Sequence, residues 1–310
     1  MGLDIVVAFF ILGAVAQLAK AELSLPQSLY QSLVIFLLLA IGLKGGIALS
    51  EHVNAALLVK SAAVLAFGFI LPLIAFPLLR SFGHLPRLDA ATIAAHYGSV
   101  SVATYAVAVA FLDSQGIEYE PYFPLFVALL EAPAIAVGLW LASRKGEKTD
   151  GKAIAKEMLL NQGMVLLLGG ILIGWWGGER AERIMPFFGE LFHGVLALFL
   201  LAMGQKAAQR WRELGANASF LASFGVAMPL IGAVLGTALA MLLGLSHGGM
   251  VLLATLGASA SYIAVPAALS AALPKADLGP AITASLGVTF PFNVLVGIPL
   301  YSALINHFVL

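Results

Sequence analysis

Few side chains in this sequence could do chemistry, and most of those stand in apolar surroundings. Glu131 lies in Leu129-Leu130-Glu131-Ala132-Pro133, inside a long uncharged stretch. An ionisable group inside a membrane-depth helix marks a functional site by default, because its desolvation is costly. Such a carboxyl group either ligates a cation or takes up a proton, or it stays neutral and hydrogen-bonded at the helix break made by Pro133. Thr289 and Asn293 flank Pro291, where side-chain oxygens and carbonyls freed by the proline suit a hard cation such as sodium. For Asn293, a hydrogen bond between helices is an equal reading. Glu131, Thr289 and Asn293 are thus the candidate cation residues, with Glu131 the candidate sodium ligand.

Two polar interruptions complement them. One is Ala95-His96-Tyr97-Gly98-Ser99-Val100-Ser101-Val102-Ala103-Thr104, and the other is Leu256-Gly257-Ala258-Ser259-Ala260-Ser261-Tyr262-Ile263-Ala264-Val265-Pro266. Either run could simply let helices pack closely through small residues. Both also read as midplane breaks, where a restarting half-helix points free N–H groups and its positive dipole end inward and attracts an anion without a basic side chain. That makes Gly98, Ser99, Ser101, Ser259 and Ser261 the candidate anion residues. The repeats Gly170-Ile-Leu-Ile-Gly174 and Gly232-Ala-Val-Leu-Gly236 read as packing motifs. His96 reads as a cap on the first break or a proton gate. Lys44 and Lys206 read as lysines snorkelling from helix ends, and Glu190 with His193 as a polar helix face. No HExxH, Walker or Ser-His-Asp pattern occurs, so no enzyme activity is expected.

The elements that must position these residues follow from composition. The chain has 310 residues, 61% hydrophobic and 10% charged, with a mean hydropathy of +1.00, far from soluble-domain composition. A bilayer-spanning helix takes about 20 apolar residues. Apolar runs between charged or Pro/Gly-marked breaks predict helices at 3–19, 27–43, 54–80, 89–113, 119–143, 157–176, 186–204, 217–244, 248–273 and 279–309. The fold class is therefore an all-α polytopic membrane protein of about ten transmembrane helices. Sixteen basic and sixteen acidic residues cancel, so no nucleic-acid partner is expected. The absence of Cys excludes disulfides and thiolate metal sites. Asp4 stands where a signal peptide needs positive charge, so the first apolar stretch is expected to remain in the membrane.

Sidedness follows from Lys and Arg. Twelve of the sixteen fall in odd-numbered loops, and Lys44, Lys60, Arg180 and Arg183 fall on the other side. Both termini should lie outside the cytoplasm, in a protein integral to the cytoplasmic membrane. The most polar run, around Lys145 to Lys152, reads as a cytoplasmic linker over 144–156 between halves 1–143 and 157–310.

The halves echo each other. Leu38-Leu-Ala-Ile-Gly42-Leu-Lys44 matches Leu200-Leu-Ala-Met-Gly204-Gln-Lys206, Ser99-Val-Ser101 matches Ser259-Ala-Ser261, and Glu131-Ala-Pro133 matches Thr289-Phe-Pro291. The common spacing raises three weak matches to a repeat. With five helices per half the two must be inverted in the membrane, as in transporters.

Ile41-Gly-Leu-Lys-Gly-Gly46, the Gly98-Ser-Val-Ser101 break, Glu131-Ala-Pro133 and Gly257-Ala-Ser-Ala-Ser261 followed by Pro266 together resemble sodium-dependent bicarbonate transporters of the cyanobacterial SbtA type. The likeness covers nearly the whole chain. It implies ten helices in two inverted repeats, a homotrimer, and bicarbonate bound beside the broken helices with sodium nearby. In this family pattern acids stand where this sequence has Tyr262 and Gln205, and the linker is longer, which bears on sodium coupling and on a PII-like regulatory partner. The expected function is a symporter of a small anion, bicarbonate first, with sodium as the coupling ion and no other cofactor. An organic-anion carrier of bile-acid or monocarboxylate type, coupled to protons or sodium, and a non-transporting membrane subunit are the alternatives.

Overall fold

The computed structural model describes residues 4–23, 25–143, 160–211 and 218–309. The expected linker at 144–156 lies outside the described residues. These form helices and no strand. Helix α1 (Ile5–Leu18) starts where the Asp4 carboxylate accepts the Val6 N–H at 2.9 Å, an ordinary N-cap. Next come α2 (Gln27–His52) and α3 (Ala55–Ser81), the latter capped by Asn54. After them α4 (Arg87–Gly98) and α5 (Val102–Gln115) are two halves of one interrupted helix, and α6 (Phe123–Ala142) closes the first half.

The second half begins with α7 (Gln162–Gly177), capped by Asn161, and reaches α8 (Phe192–Trp211) through a tight turn over Gly178–Ile184 and a wide one over Pro186–Glu190. Helix α9 (Ala218–Leu242) precedes a second interrupted pair, α10 (His247–Ala258) and α11 (Ala264–Ala272), and α12 (Gly279–Phe308) ends the chain. Among the described residues six stretches are long and apolar enough to cross a membrane, counting α4 and α5 as one.

Two helices outrun their expected ends. Sequence alone stops them at 43 and 204, yet α2 continues to His52 and α8 to Trp211. Gly45 and Gly46 do not terminate α2; a Cβ on Gly45 would lie 2.5 Å from the Pro124 ring, and one on Gly46 would strike the Ile171 carbonyl. Their purpose is close approach, so Lys44 sits within a helix and not at its end.

The helices sort into two bundles. In one, α1 packs on α8 and α2 on α7, with α2 also touching α8. In the other, α3, α4 and α6 pack together, as do α9, α10 and α12, and α5 crosses α10. Lipid supplies no hydrophobic drive between helices, so association relies on close backbone contact. The glycines provide it. Gly42 and Gly170 meet where α2 crosses α7, Gly204 and Gly13 meet the backbones of α1 and α8, and Gly232 meets Gly257. Both GxxxG runs therefore pack helices.

In α12, wide π-helical stretches over Thr283–Thr289 and Asn293–Gly297 precede Pro291 and Pro299 or include the residues those prolines would clash with. A proline cannot donate to the carbonyl four residues back, and widening the turn accommodates that loss.

Candidate functional site

The two interruptions cross each other. Helix α4 ends at Gly98, where a Cβ would meet Pro72 and Ala134. Ser99 then runs extended, and its Oγ donates to the Glu131 carbonyl at 3.3 Å. Ser101 caps α5, its Oγ accepting the Thr104 N–H at 3.1 Å. On the other side α10 ends at Ala258, whose carbonyl accepts from Asn293 Nδ2 at 2.8 Å. Ser261 Oγ accepts the Val265 N–H at 3.3 Å as α11 begins.

Backbone freed by unwinding must find partners at membrane depth, and here each strand of the crossing serves the other. The Ser101 N–H donates to Ser259 Oγ at 3.1 Å, and the Ser261 N–H donates to the His96 carbonyl at 2.8 Å.

A cavity of about 90 Å³ lies against this crossing. The first residues of α5 (Val102, Ala103) and of α11 (Ala264), with the preceding Ser101, Ser261, Tyr262 and Ile263, line it. Two half-helix N-termini thus face one small space, the arrangement that favours an anion. Ser101 Oγ donates to the Tyr262 hydroxyl at 3.3 Å, and the Tyr262 ring packs edge-on against Phe290. Glu131 also lines the cavity; it is buried, and its Oε2 has no hydrogen-bond partner among the described residues. Opposite it stands the first turn of α7, where a Cβ on Gly163 would lie 3.8 Å from Glu131 Oε1.

Of the expected anion residues, Ser101 and Ser261 line the cavity. Gly98, Ser99 and Ser259 do not; they build the crossing. Of the expected cation residues, only Glu131 lines it. Thr289 Oγ1 donates to the Gly225 carbonyl at 2.7 Å and pairs with the Tyr97 hydroxyl at 2.8 Å, while Asn293 Oδ1 accepts from Tyr301. These two residues are engaged in helix packing and do not line the cavity with Glu131. His96 does not cap the break with its ring, which bonds back to the Thr92 carbonyl at 2.7 Å; its own carbonyl does the holding.

Sequence reasoning missed Tyr262 and Gln162 as wall residues. A tyrosine directly after a serine pair inside a break was the available signal for the first; Gln162 follows a polar segment and gave none.

Two further cavities lie at opposite ends. One of about 520 Å³ is lined by Lys206, Arg210 and several glutamines, and shares Val34, Gln162, Tyr262 and Ile263 with the inner cavity. The other, of about 70 Å³, holds Lys44, Asp113, Tyr119 and His193 and shares no lining residue with it.

Among curated proteins no sequence matches the chain. The family model of the Na⁺-dependent bicarbonate transporter superfamily matches residues 5–306 of the 310. An apolar helical chain whose two broken helices close on one small cavity is what such a carrier requires, and this integral membrane protein belongs to that superfamily.

Proposed function

We propose that the protein is a secondary active symporter that takes up bicarbonate with sodium, through ten crossings arranged as two inverted five-helix repeats. The observation that carries this reading is the convergence of the α5 and α11 N-termini, with Ser101 and Ser261, on a cavity of about 90 Å³. Dipole ends and hydroxyls suit a small oxoanion. A space of that size does not suit a bile acid or other bulky organic anion.

The packing supports the repeat. The α1–α8 and α2–α7 contacts exchange under the match that pairs Lys44 with Lys206, as do the α3–α4 and α9–α10 contacts. The bundle of α1, α2, α7 and α8 would then serve as the frame against which the other moves. The excess of Lys and Arg in odd-numbered loops supports termini outside the cytoplasm.

For coupling, Glu131 is the one carboxylate on the cavity wall among the described residues. A carboxylate at such depth needs a compensating cation, and sodium beside bound bicarbonate would supply it. Tyr262, standing where the family pattern has an acid, contributes a hydroxyl without charge, so Glu131 carries the coupling alone.

Purified protein in proteoliposomes tests the proposal. Labelled bicarbonate should accumulate under an inward sodium gradient and not under a pH gradient alone. Ser101→Ala and Ser261→Ala should each lower apparent affinity roughly fivefold, the equivalent of about 1 kcal/mol for one hydrogen bond. Uptake that ignores sodium, or unchanged affinity in both variants, would sink it.

A further inference from the structure

The 520 Å³ vestibule beside the inner cavity has a basic wall. Lys206 of α8 lines it with Gln27, Gln31, Gln162 and Gln209, and no carboxylate does so among the described residues. The Lys206 ammonium lies 3.3 Å from the centre of the Tyr30 ring, and no Asp or Glu pairs with it among the described residues. An aromatic face attracts a cation without neutralising it. The helix dipole favours a basic side chain near the end of α8, which accounts for Arg210 in the last turn. It accounts less well for Lys206, which is more than a turn from the end and turned onto the vestibule wall. Its repeat counterpart Lys44, in contrast, has a hydroxyl partner in Tyr119 and an acid, Asp113, on the wall of its own small cavity.

We propose that the vestibule is a second anion-binding station, in which Lys206 holds a small oxoanion that keeps its hydration shell. The glutamine amides offer both N–H donors and carbonyl acceptors, which matches an oxoanion carrying a proton as well as a bare one. The space is several times that of the inner cavity, with Gln162, Tyr262 and Ile263 on the shared wall. By the Lys and Arg asymmetry Lys206 lies on the cytoplasmic side, so an anion leaving the inner cavity regains its water at that wall and is held in a basic funnel before release. Lys206 is a charge-selecting residue, not one that touches the anion in the inner cavity. Only the identity of the anion rests on the transport reading above.

The chain contains no Cys, which permits a direct measurement of local potential. Gln31→Cys places one thiol on the vestibule wall. In nanodiscs at low ionic strength, its reaction rates with an anionic sulfonatoethyl and a cationic trimethylammonioethyl thiosulfonate are compared. The anionic-to-cationic ratio should exceed that of a free thiol about tenfold. Adding Lys206→Gln should lower the ratio at least threefold, Lys206→Arg should preserve it, and millimolar bicarbonate should slow the anionic reagent. A ratio equal to that of a free thiol, or one unmoved by Lys206→Gln, overturns the station. A raised ratio that falls with Lys206→Gln, in protein that moves no bicarbonate, would leave the station standing and count against the transport reading alone.

Discussion

Lys44 and Lys206 hold matching places in the repeated pattern, yet the ends of the molecule they occupy differ. At the Lys44 end the ammonium donates to the Tyr119 hydroxyl at 3.1 Å, tying α2 to the turn between α5 and α6, while His193 on α8 faces Asp113 on α5 at 3.9 Å. Both links join one bundle to the other, and little space is left between them, about 70 Å³. At the Lys206 end the lysine rests on Tyr30 of α2, within its own bundle, beside the 520 Å³ vestibule. Near-equivalent segments thus make a closed end and an open one. The difference lies in which bundle each lysine engages, and the inner cavity shares wall residues with the Lys206 end and none with the cavity at the Lys44 end.

The comparison is most severely tested where the two ends should be alike. If they differ only in contacts between bundles, the frame beneath them is equivalent, and Gly42→Val and Gly204→Val should do equal harm. A Cβ at Gly42 lies 2.6 Å from the Leu167 carbonyl oxygen, and one at Gly204 strikes the Phe10 carbonyl. Each variant should lose about 3 kcal/mol or fail to fold, at the upper end of overpacking costs. Thermal unfolding in detergent measures this, and one tolerated variant would show that the frame is not symmetric.

A smaller effect is expected from Tyr119→Phe. It removes the hydroxyl acceptor of Lys44, a solvent-exposed hydrogen bond of about 1 kcal/mol, and should loosen the closed end. A thiol at Met185→Cys, on the wall of the small cavity, should then react about fivefold faster with a small neutral reagent. An unchanged rate would mean that Lys44 does not hold that end shut. The smallest effect belongs to Asp113→Asn. The pair with His193 is long and partly exposed, and such pairs contribute about 0–1 kcal/mol. The same thiol rate should change less than twofold, and a larger change would make the His193 contact the principal latch.

Both breaks were legible in the sequence, because Gly98 and the serine pairs are poor reasons to continue a helix and good ones to interrupt it. Glu131 was legible for the same kind of reason, a charge where none is comfortable. What could not be read was direction. Ser99 and Ser259 carry the same side chain as Ser101 and Ser261, but the alternation of extended backbone turns them into the crossing and away from the cavity. Thr289 and Asn293 sit beside a proline just as Glu131 does, and only the packing of α12 on α9 and α10 assigns them to Gly225 and Ala258. The lengths of α2 and α8 were misread because glycine after lysine resembles a helix stop, whereas here glycine admits a neighbouring backbone.

The serine crossing has a consequence for leakage. Interrupting two helices at membrane depth thins the barrier that keeps ions from slipping through uncoupled, since loose backbone polar groups invite a file of water. In this protein Ser99, Ser101, Ser259 and Ser261 are each at most 5% exposed, and the N–H groups of Ser101 and Ser261 are bonded across the junction. The same contacts leave neither N–H free to lead a file of water through the junction. A membrane holding an ion gradient can carry many copies of such a protein without being discharged by them.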